Sequence, residues 1–326
     1  MTEDLYKSVG ETIAGLQAHF VRHRQFNQLE HQFQILLHRR QADIANQRAN
    51  ETRGLAVIGA SGSGKTTGVE RLLRSHLTAN RCLPCEGNSE GDPEERQIIS
   101  LRIPSPATVK FVGLTILRGL GYPMNGNRQA WYIWNLVKYH LQQRRTLILH
   151  LDEAQDLSAK GTERERQSVV NLLKSLMQDP DWPVCLILSG TDELVDILNF
   201  DPQLGRRFQP ICFDPISDIA DLPRIDRVLR TYAEKVPLEL AAEVTTPEFL
   251  QRLTHAAANE FGLMIEIIIS GIEVALLRRS KTLAASDFIE AFRLRAGCLD
   301  GLNPFCAVSF RETDPRELMA RGGLIR

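Results

Sequence analysis

The sequence predicts an α/β fold: a mostly parallel sheet flanked by helices, followed by a smaller helical subdomain. Three observations carry this expectation. Short apolar runs bounded by turn residues recur at "LAVIG" (55–59), "IISLRI" (98–103), "LILHL" (147–151), "VCLILS" (184–189) and "PICF" (210–213). Between them, apolar residues fall at helical spacing, as in Val69, Leu72, Leu73 and Leu77, or Val169, Leu172, Leu173 and Leu176. Strands that alternate with helices form parallel sheets covered on both faces. After "FDP" (213–215) the strand signals stop, and residues 222–296 read as successive helices with boundaries near Pro237, Pro247, Gly262 and "AASD" (284–287).

Four segments are expected along the chain: a helical extension over 1–53, the α/β domain over 54–215, the helical subdomain over 216–297, and a tail over 298–326 that is either a partner-binding strand or disordered. Within it, residues 11–48 carry Arg22, Arg24, Arg39, Arg40 and Arg48 against Glu11, Glu30 and Asp43, with four histidines interspersed. That reads as a solvated helix face or, more sharply, as a surface for nucleic acid or a partner. Residues 86–97 are expected to be an acidic, turn-rich loop.

With 326 residues, 43% hydrophobic, 24% charged and a net charge of -1, the chain is neither disordered nor coated with basic charge. Any nucleic-acid surface must therefore be local. The apolar stretch "GLMIEIIISGIEVALL" (262–277) contains Glu266 and Glu273, which suits a buried helix better than a membrane span. The opening residues lack the basic-then-apolar order of a signal peptide. A cytoplasmic chain with no membrane partner is expected. Cys82 and Cys85, in "CLPC", supply half of a zinc site, with His76 the only nearby ligand candidate. Cys185, Cys212, Cys298 and Cys306 offer no second close pair, so ordinary reduced thiols are expected.

The chemistry centres on "AVIGASGSGKTTG" (56–68), where Gly59, Gly64, Lys65 and Thr66 satisfy G-x-x-x-x-G-K-[ST] between a predicted strand and a predicted helix. Glycines let successive backbone N–H groups face phosphate oxygens, and the helix N-terminus favours negative charge. Lys65 would reach the β and γ phosphates, and the Thr66 hydroxyl would face Mg²⁺. In "RTLILHLDEAQDL" (145–157), Asp152 and Glu153 follow a buried strand. Asp152 would hold Mg²⁺ through its water shell and Glu153 would polarise an attacking water; capping of the next helix is the plainer alternative. Ser189 and Thr191 end the following strand, where a hydroxyl would meet the γ-phosphate or that water, or serve as an N-cap. Arg206 and Arg207, before the last predicted strand, would complete a neighbour's site or form a surface pair.

In this order, "GASGSGKTT", "LILHLDEAQDL", "LILSGT", "GRRF" and a helical C-terminal part resemble an AAA+ ATPase, and more narrowly the TnsC/TniB family of transposition regulators, over residues 50–295. The resemblance implies a P-loop AAA+ core with a C-terminal helical lid. It implies an ATP-dependent homo-oligomer, a ring or helical filament on double-stranded DNA without strong sequence preference, which recruits a transposase and a target-selection protein. By position, Gly59, Ala60, Ser61, Gly62, Ser63, Gly64, Lys65, Thr66 and Thr67 bind ATP, and Thr66 and Asp152 serve Mg²⁺. Glu153 then acts in hydrolysis, Ser189 or Thr191 is sensor 1, and Arg206 or Arg207 is the finger. The DNA-facing candidates are Thr108 and Lys110 in "SPATVKFVG" (105–113), and Asn125, Asn127 and Arg128 in "PMNGNRQ" (123–129). One departure stands out: Gly262 is followed by Leu263, Met264, Ile265 and Glu266, so no sensor-2 arginine opens the lid helix.

Other readings share parts of this pattern. A secretion-associated ATPase of the ExeA type has a similar "DEAQ" core but would ordinarily carry a membrane span or a further domain. A DExH helicase needs a second RecA-like domain, and a small-molecule kinase needs no water-activating Glu153. A nucleotide-gated scaffold with incidental turnover overlaps with the favoured reading.

Overall fold

The five apolar runs become five parallel strands in the computed structural model, which describes residues 2–80, 96–105, 107–124, 126, 128–157 and 162–316. In chain order the elements are α1 (Thr2–Ala18), α2 (Arg24–Ala45), β1 (Gly54–Ile58), α3 (Lys65–Asn80), β2 (Ile98–Arg102), α4 (Val109–Gly119), α5 (Ala130–Gln143), β3 (Ile148–Asp152), α6 (Glu163–Met177), β4 (Cys185–Gly190), α7 (Glu193–Phe200), α8 (Pro202–Gly205) and β5 (Phe208–Cys212). They continue with α9 (Leu222–Ala233), β6 (Glu239–Leu240), α10 (Pro247–Ala256), α11 (Phe261–Leu277), β7 (Thr282–Leu283) and α12 (Ala285–Ala296).

Contacts divide the chain into two units. The α/β unit spans 23–60 and 65–213. Its sheet runs β2-β3-β4-β1-β5. The central strands β1, β3 and β4 are buried along their whole length, as expected for a parallel sheet with both faces covered. Ile116, Leu117, Val137, Val169, Leu173 and Leu176 pack from the helices onto Ile99, Leu149, Leu186 and Leu188. In register, Ile58 lies opposite Gly190 and Cys212, Leu151 opposite Leu188, and Asp152 opposite Arg102. The C-terminal ends of β1, β3 and β4 therefore sit side by side at the point where the strand order reverses, the usual ligand position in such sheets. Thr162 opens α6 with a capping box, its hydroxyl accepting from the Glu165 N–H at 3.3 Å while the Glu165 carboxylate accepts from the Thr162 N–H at 2.7 Å.

The helical unit comprises the described residues of 1–22, 61–64 and 214–326. Its core joins Leu229 and Tyr232 of α9, Leu253 of α10, Ile268 and Ile272 of α11, and Phe288 and Phe292 of α12. Leu263 N–H, in the first turn of α11, donates to the Gly62 carbonyl at 3.0 Å. Glu266 and Glu273 of α11 stay outside the buried face, while Met264, Ile267 and Ala275 line it.

Three expectations change. The helical extension over 1–53 is divided: Val9, Ile13 and Leu16 of α1 enter the core of the helical unit, whereas α2 belongs to the α/β unit. The tail over 298–326 is folded through its described part, because Phe305 packs against Phe249, Phe288 and Phe292, and buried Asn303 donates to the Ile289 carbonyl at 2.9 Å. The region after residue 222 is not wholly helical, since β6 and β7 form a two-stranded parallel pair. Cys82 and Cys85 lie outside the described residues. Among the described residues, no helix is long and apolar enough to cross a membrane, and no group of three or more His, Cys, Asp or Glu converges as a metal site.

Candidate active site

The turn after β1 is built around two glycines at positive φ, Gly62 at 84° and Gly64 at 93°. Side chains rarely adopt that conformation, so the chain reverses there only because Cβ is missing. At the start of α3, Lys65 is 9% exposed, and its Nζ donates to the carbonyls of Gly59 at 2.6 Å and Ala60 at 2.8 Å. The ammonium is thus held over the turn by backbone oxygens.

Asp152, the last residue of β3, is held on both sides. Its Oδ2 accepts from the Thr66 hydroxyl at 3.1 Å and its Oδ1 from the Ser189 hydroxyl at 2.5 Å. The three residues expected to serve one ion and one phosphate come from α3, β3 and β4 and meet at one carboxylate. A hydroxyl and a carboxylate beside a lysine and a glycine turn form the oxygen-rich donor set that suits Mg²⁺ bound to a triphosphate.

Behind this carboxylate lies a hydrogen-bond series not visible in the motifs. Residues two apart on a strand share a face, so His150 stands on the same face as Asp152. Ser100 of β2 is its direct cross-strand partner, and Ser189 is its diagonal neighbour on β4. His150 Nε2 lies 2.7 Å from the Ser189 Oγ, and Nδ1 lies 2.8 Å from the Ser100 Oγ. Because Ser189 spends its hydrogen on Asp152, it accepts from His150 Nε2–H. Nδ1 then accepts from Ser100, which assigns the tautomer. Burial pushes the His150 imidazole down to about 4, against the opposing pull of the Asp152 carboxylate, so the ring is neutral near pH 7. A lone histidine inside the apolar run "LILHL" was the available signal.

Glu153 follows with φ at 54°, in the left-handed region that a side chain enters at a cost. Its Oε2 accepts from Gln155 Nε2 at 2.7 Å, and its Oε1 faces Arg102 Nη2 at 3.4 Å. Gln155 Oε1 accepts from the Thr191 N–H at 3.2 Å, tying the end of β4 to the glutamate. Ser189 therefore reaches Asp152, whereas Thr191 presents its N–H to Gln155 and keeps a buried hydroxyl with no partner among the described residues. Neither hydroxyl caps α7.

The two adjacent arginines diverge. Arg207 is buried, with its Nε on the Glu51 carboxylate, while Arg206 is exposed. The Arg207 hydrogen bond holds the Glu51 carboxyl below its ordinary range, and the charges of Arg207 and Arg206 add to the effect.

Thr108 caps α4, accepting from the Phe111 N–H at 3.2 Å, and Lys110, two residues on, is half-buried. Trp134 Nε1–H donates to the Val109 carbonyl at 3.1 Å, which brings the starts of α4 and α5 together. Arg128 is exposed, its guanidinium 5.5 Å from the Tyr132 ring centre. The motifs missed the aromatics here: Trp131 is 65% exposed, and Phe111 and Tyr132 are also open to solvent. Asn125 and Asn127 lie outside the described residues.

Comparison with known proteins follows the same lines. The sequence profile of the family described as TniB, Bacterial TniB protein, matches residues 14–217. A search of curated proteins found no match. Among solved structures, Cdc6p from Pyrobaculum aerophilum aligns with a TM-score of 0.58 at 18% identity, over 86% of this chain and 70% of that one. The ORC1 protein of Aeropyrum pernix, solved in complex with DNA, gives 0.56 at 19% identity, over 83% and 65% respectively. At these identities the likeness is one of fold, and the fold is the AAA+ P-loop core with helices around a parallel sheet.

Proposed function

Because the chain belongs to the TniB family, we propose that it is an ATP-hydrolysing regulator of DNA transposition whose copies assemble on duplex DNA. The observation that carries this reading is the two-sided grip on Asp152 by Thr66 and Ser189, beside Lys65 and the glycine turn. Backbone N–H groups over 59–67 and the Lys65 ammonium would hold the triphosphate, and Thr66 and Asp152 would hold Mg²⁺, which when bound neutralises phosphate charge. Glu153 orients and deprotonates the attacking water, with its carboxylate aimed by Gln155. Ser189 acts as sensor 1, linking Asp152 to β4.

Arg206, rather than Arg207, is the finger offered to a neighbouring copy, since Arg207 is already committed to Glu51 in its own chain. Thr108, Lys110 and Arg128, with Trp131 and Tyr132, form the DNA face at the starts of α4 and α5. Helix N-termini and cations hold phosphates without reading base sequence, and exposed rings add stacking surface. A transposase and a target-selection protein are the remaining partners in this reading.

The test combines turnover and microscopy. ATPase activity is measured with and without duplex DNA, and negative-stain images are taken with a non-hydrolysable ATP analogue. DNA-stimulated turnover and duplex-covering assemblies are expected. Absence of turnover together with single particles on added DNA would overturn the reading.

A further inference from the structure

At the N-terminal ends of β1, β4 and β5, the pole of the sheet opposite the glycine turn, the α/β unit has a solvent-open cavity of about 240 Å³ beside α2. Its lining residues include five arginines, Arg39, Arg40, Arg53, Arg206 and Arg207, against two acids, Asp43 and Glu51. Both carboxylates are engaged: Glu51 accepts from Arg207, and Asp43 accepts from Asn50 Nδ2 at 2.7 Å.

The cations are far less satisfied. Arg40 is 3% exposed, stacked 5.1 Å over the Trp182 ring, and its Nε meets no acceptor among the described residues. Arg207 is 5% exposed, and its Nη1 likewise meets none. The side chains of Arg39, Arg53 and Arg206 have no hydrogen bond or ion pair to any described residue. Buried guanidinium donors are ordinarily paired, because an unmade hydrogen bond to a charged group is expensive. Neither of these two buried atoms is open to the cavity, so an anion seated there would meet chiefly the exposed side chains of Arg39, Arg53 and Arg206.

We propose that this cavity is an anion seat for a free phosphate group or short polyphosphate, separate from the site at the glycine turn. Planar guanidinium forks match phosphate oxygens two at a time. Several forks around one space, with three positive charges in excess, fit a multiply charged phosphate better than a single carboxylate.

The experiment uses full-length Lys65→Ala protein, in which the glycine turn is disabled, and titrates inorganic phosphate and tripolyphosphate calorimetrically. Wild-type protein saturated with ADP, which fills the glycine turn without the γ-phosphate that Arg206 would meet in a neighbour, is titrated in parallel, so that a folding defect in the variant leaves a second measurement. Uptake of tripolyphosphate in both is expected, weakening as salt rises. Arg39→Ala and Arg53→Ala change exposed side chains and should each weaken it about tenfold. No uptake, or uptake unchanged by these substitutions, would overturn the proposal. Uptake seen only when a second, ATP-loaded copy is present would assign the arginines to a contact between copies and overturn the separate seat.

Discussion

Arg207 lies buried with its Nε on the Glu51 carboxylate, while Arg206, its neighbour in the chain, is left in solvent. Sequence treats the pair as equivalent; burial does not. Arg206→Ala should keep its fold and lose assembled ATPase activity by about 10³-fold or more, the usual worth of a trans arginine. Mixed with Glu153→Gln copies, which are inactive but carry Arg206, it should regain turnover. Arg207→Ala should instead lower stability in urea by about 1–3 kcal/mol, the range for a lost buried hydrogen bond to a charged group, because the partly exposed Glu51 stays hydrated.

Glu153 is held at a φ that glycine adopts freely. Glu153→Gln and Glu153→Gly should both lose turnover by about 10²–10⁴-fold while still binding nucleotide. Their stabilities should separate, with the glycine variant more stable by about 1 kcal/mol, since it escapes the left-handed penalty at some entropic cost. Thermal unfolding of the two purified variants checks this.

His150 predicts a pH dependence. Its folded value near 4 lies below the unfolded 6.5, so between them the unfolded chain binds more protons. Stability from this group is complete above pH 6.5 and is lost as pH falls towards 4. Urea midpoints at pH 7.5 and 5.0, without nucleotide, should differ more in wild type than in His150→Gln. Turnover gives a second readout: His150→Ala should reduce kcat by about 10–100-fold with little change in KM, as expected for misplacement of a catalytic group. Partial recovery is expected in His150→Gln, whose amide can still donate to Ser189.

On the face formed by α4 and α5, Lys110→Ala and Arg128→Ala should each weaken duplex binding for all sequences and reduce the salt slope by about 1. Trp131→Ala should weaken binding while leaving the salt slope unchanged. Fluorescence anisotropy at several salt concentrations distinguishes the two behaviours.

Much of this was legible in the sequence because each feature is local. The glycine turn, the strand ending in Asp152 and the run ending in Ser189 are contiguous and carry their own periodicity. What escaped depends on distant partners. Val9, Ile13 and Leu16 announce a helix by their spacing, but not that its apolar face enters the core of residues 214–316. Phe305 looked like part of a tail because the ring cluster that receives it comes from α10 and α12. Ser100 carried no motif at all; its role follows from strand register, which pairs it with His150.

That register has a mechanical meaning. Ser100, His150 and Ser189 form a crossbar of side chains spanning three neighbouring strands and ending on Asp152. Sliding any of these strands by one residue would turn its member of the bar to the opposite face. The backbone ladder alone tolerates some breathing; the bar fixes the strands to a common gauge, so the position of the carboxylate is set by the sheet rather than by the loop that follows it.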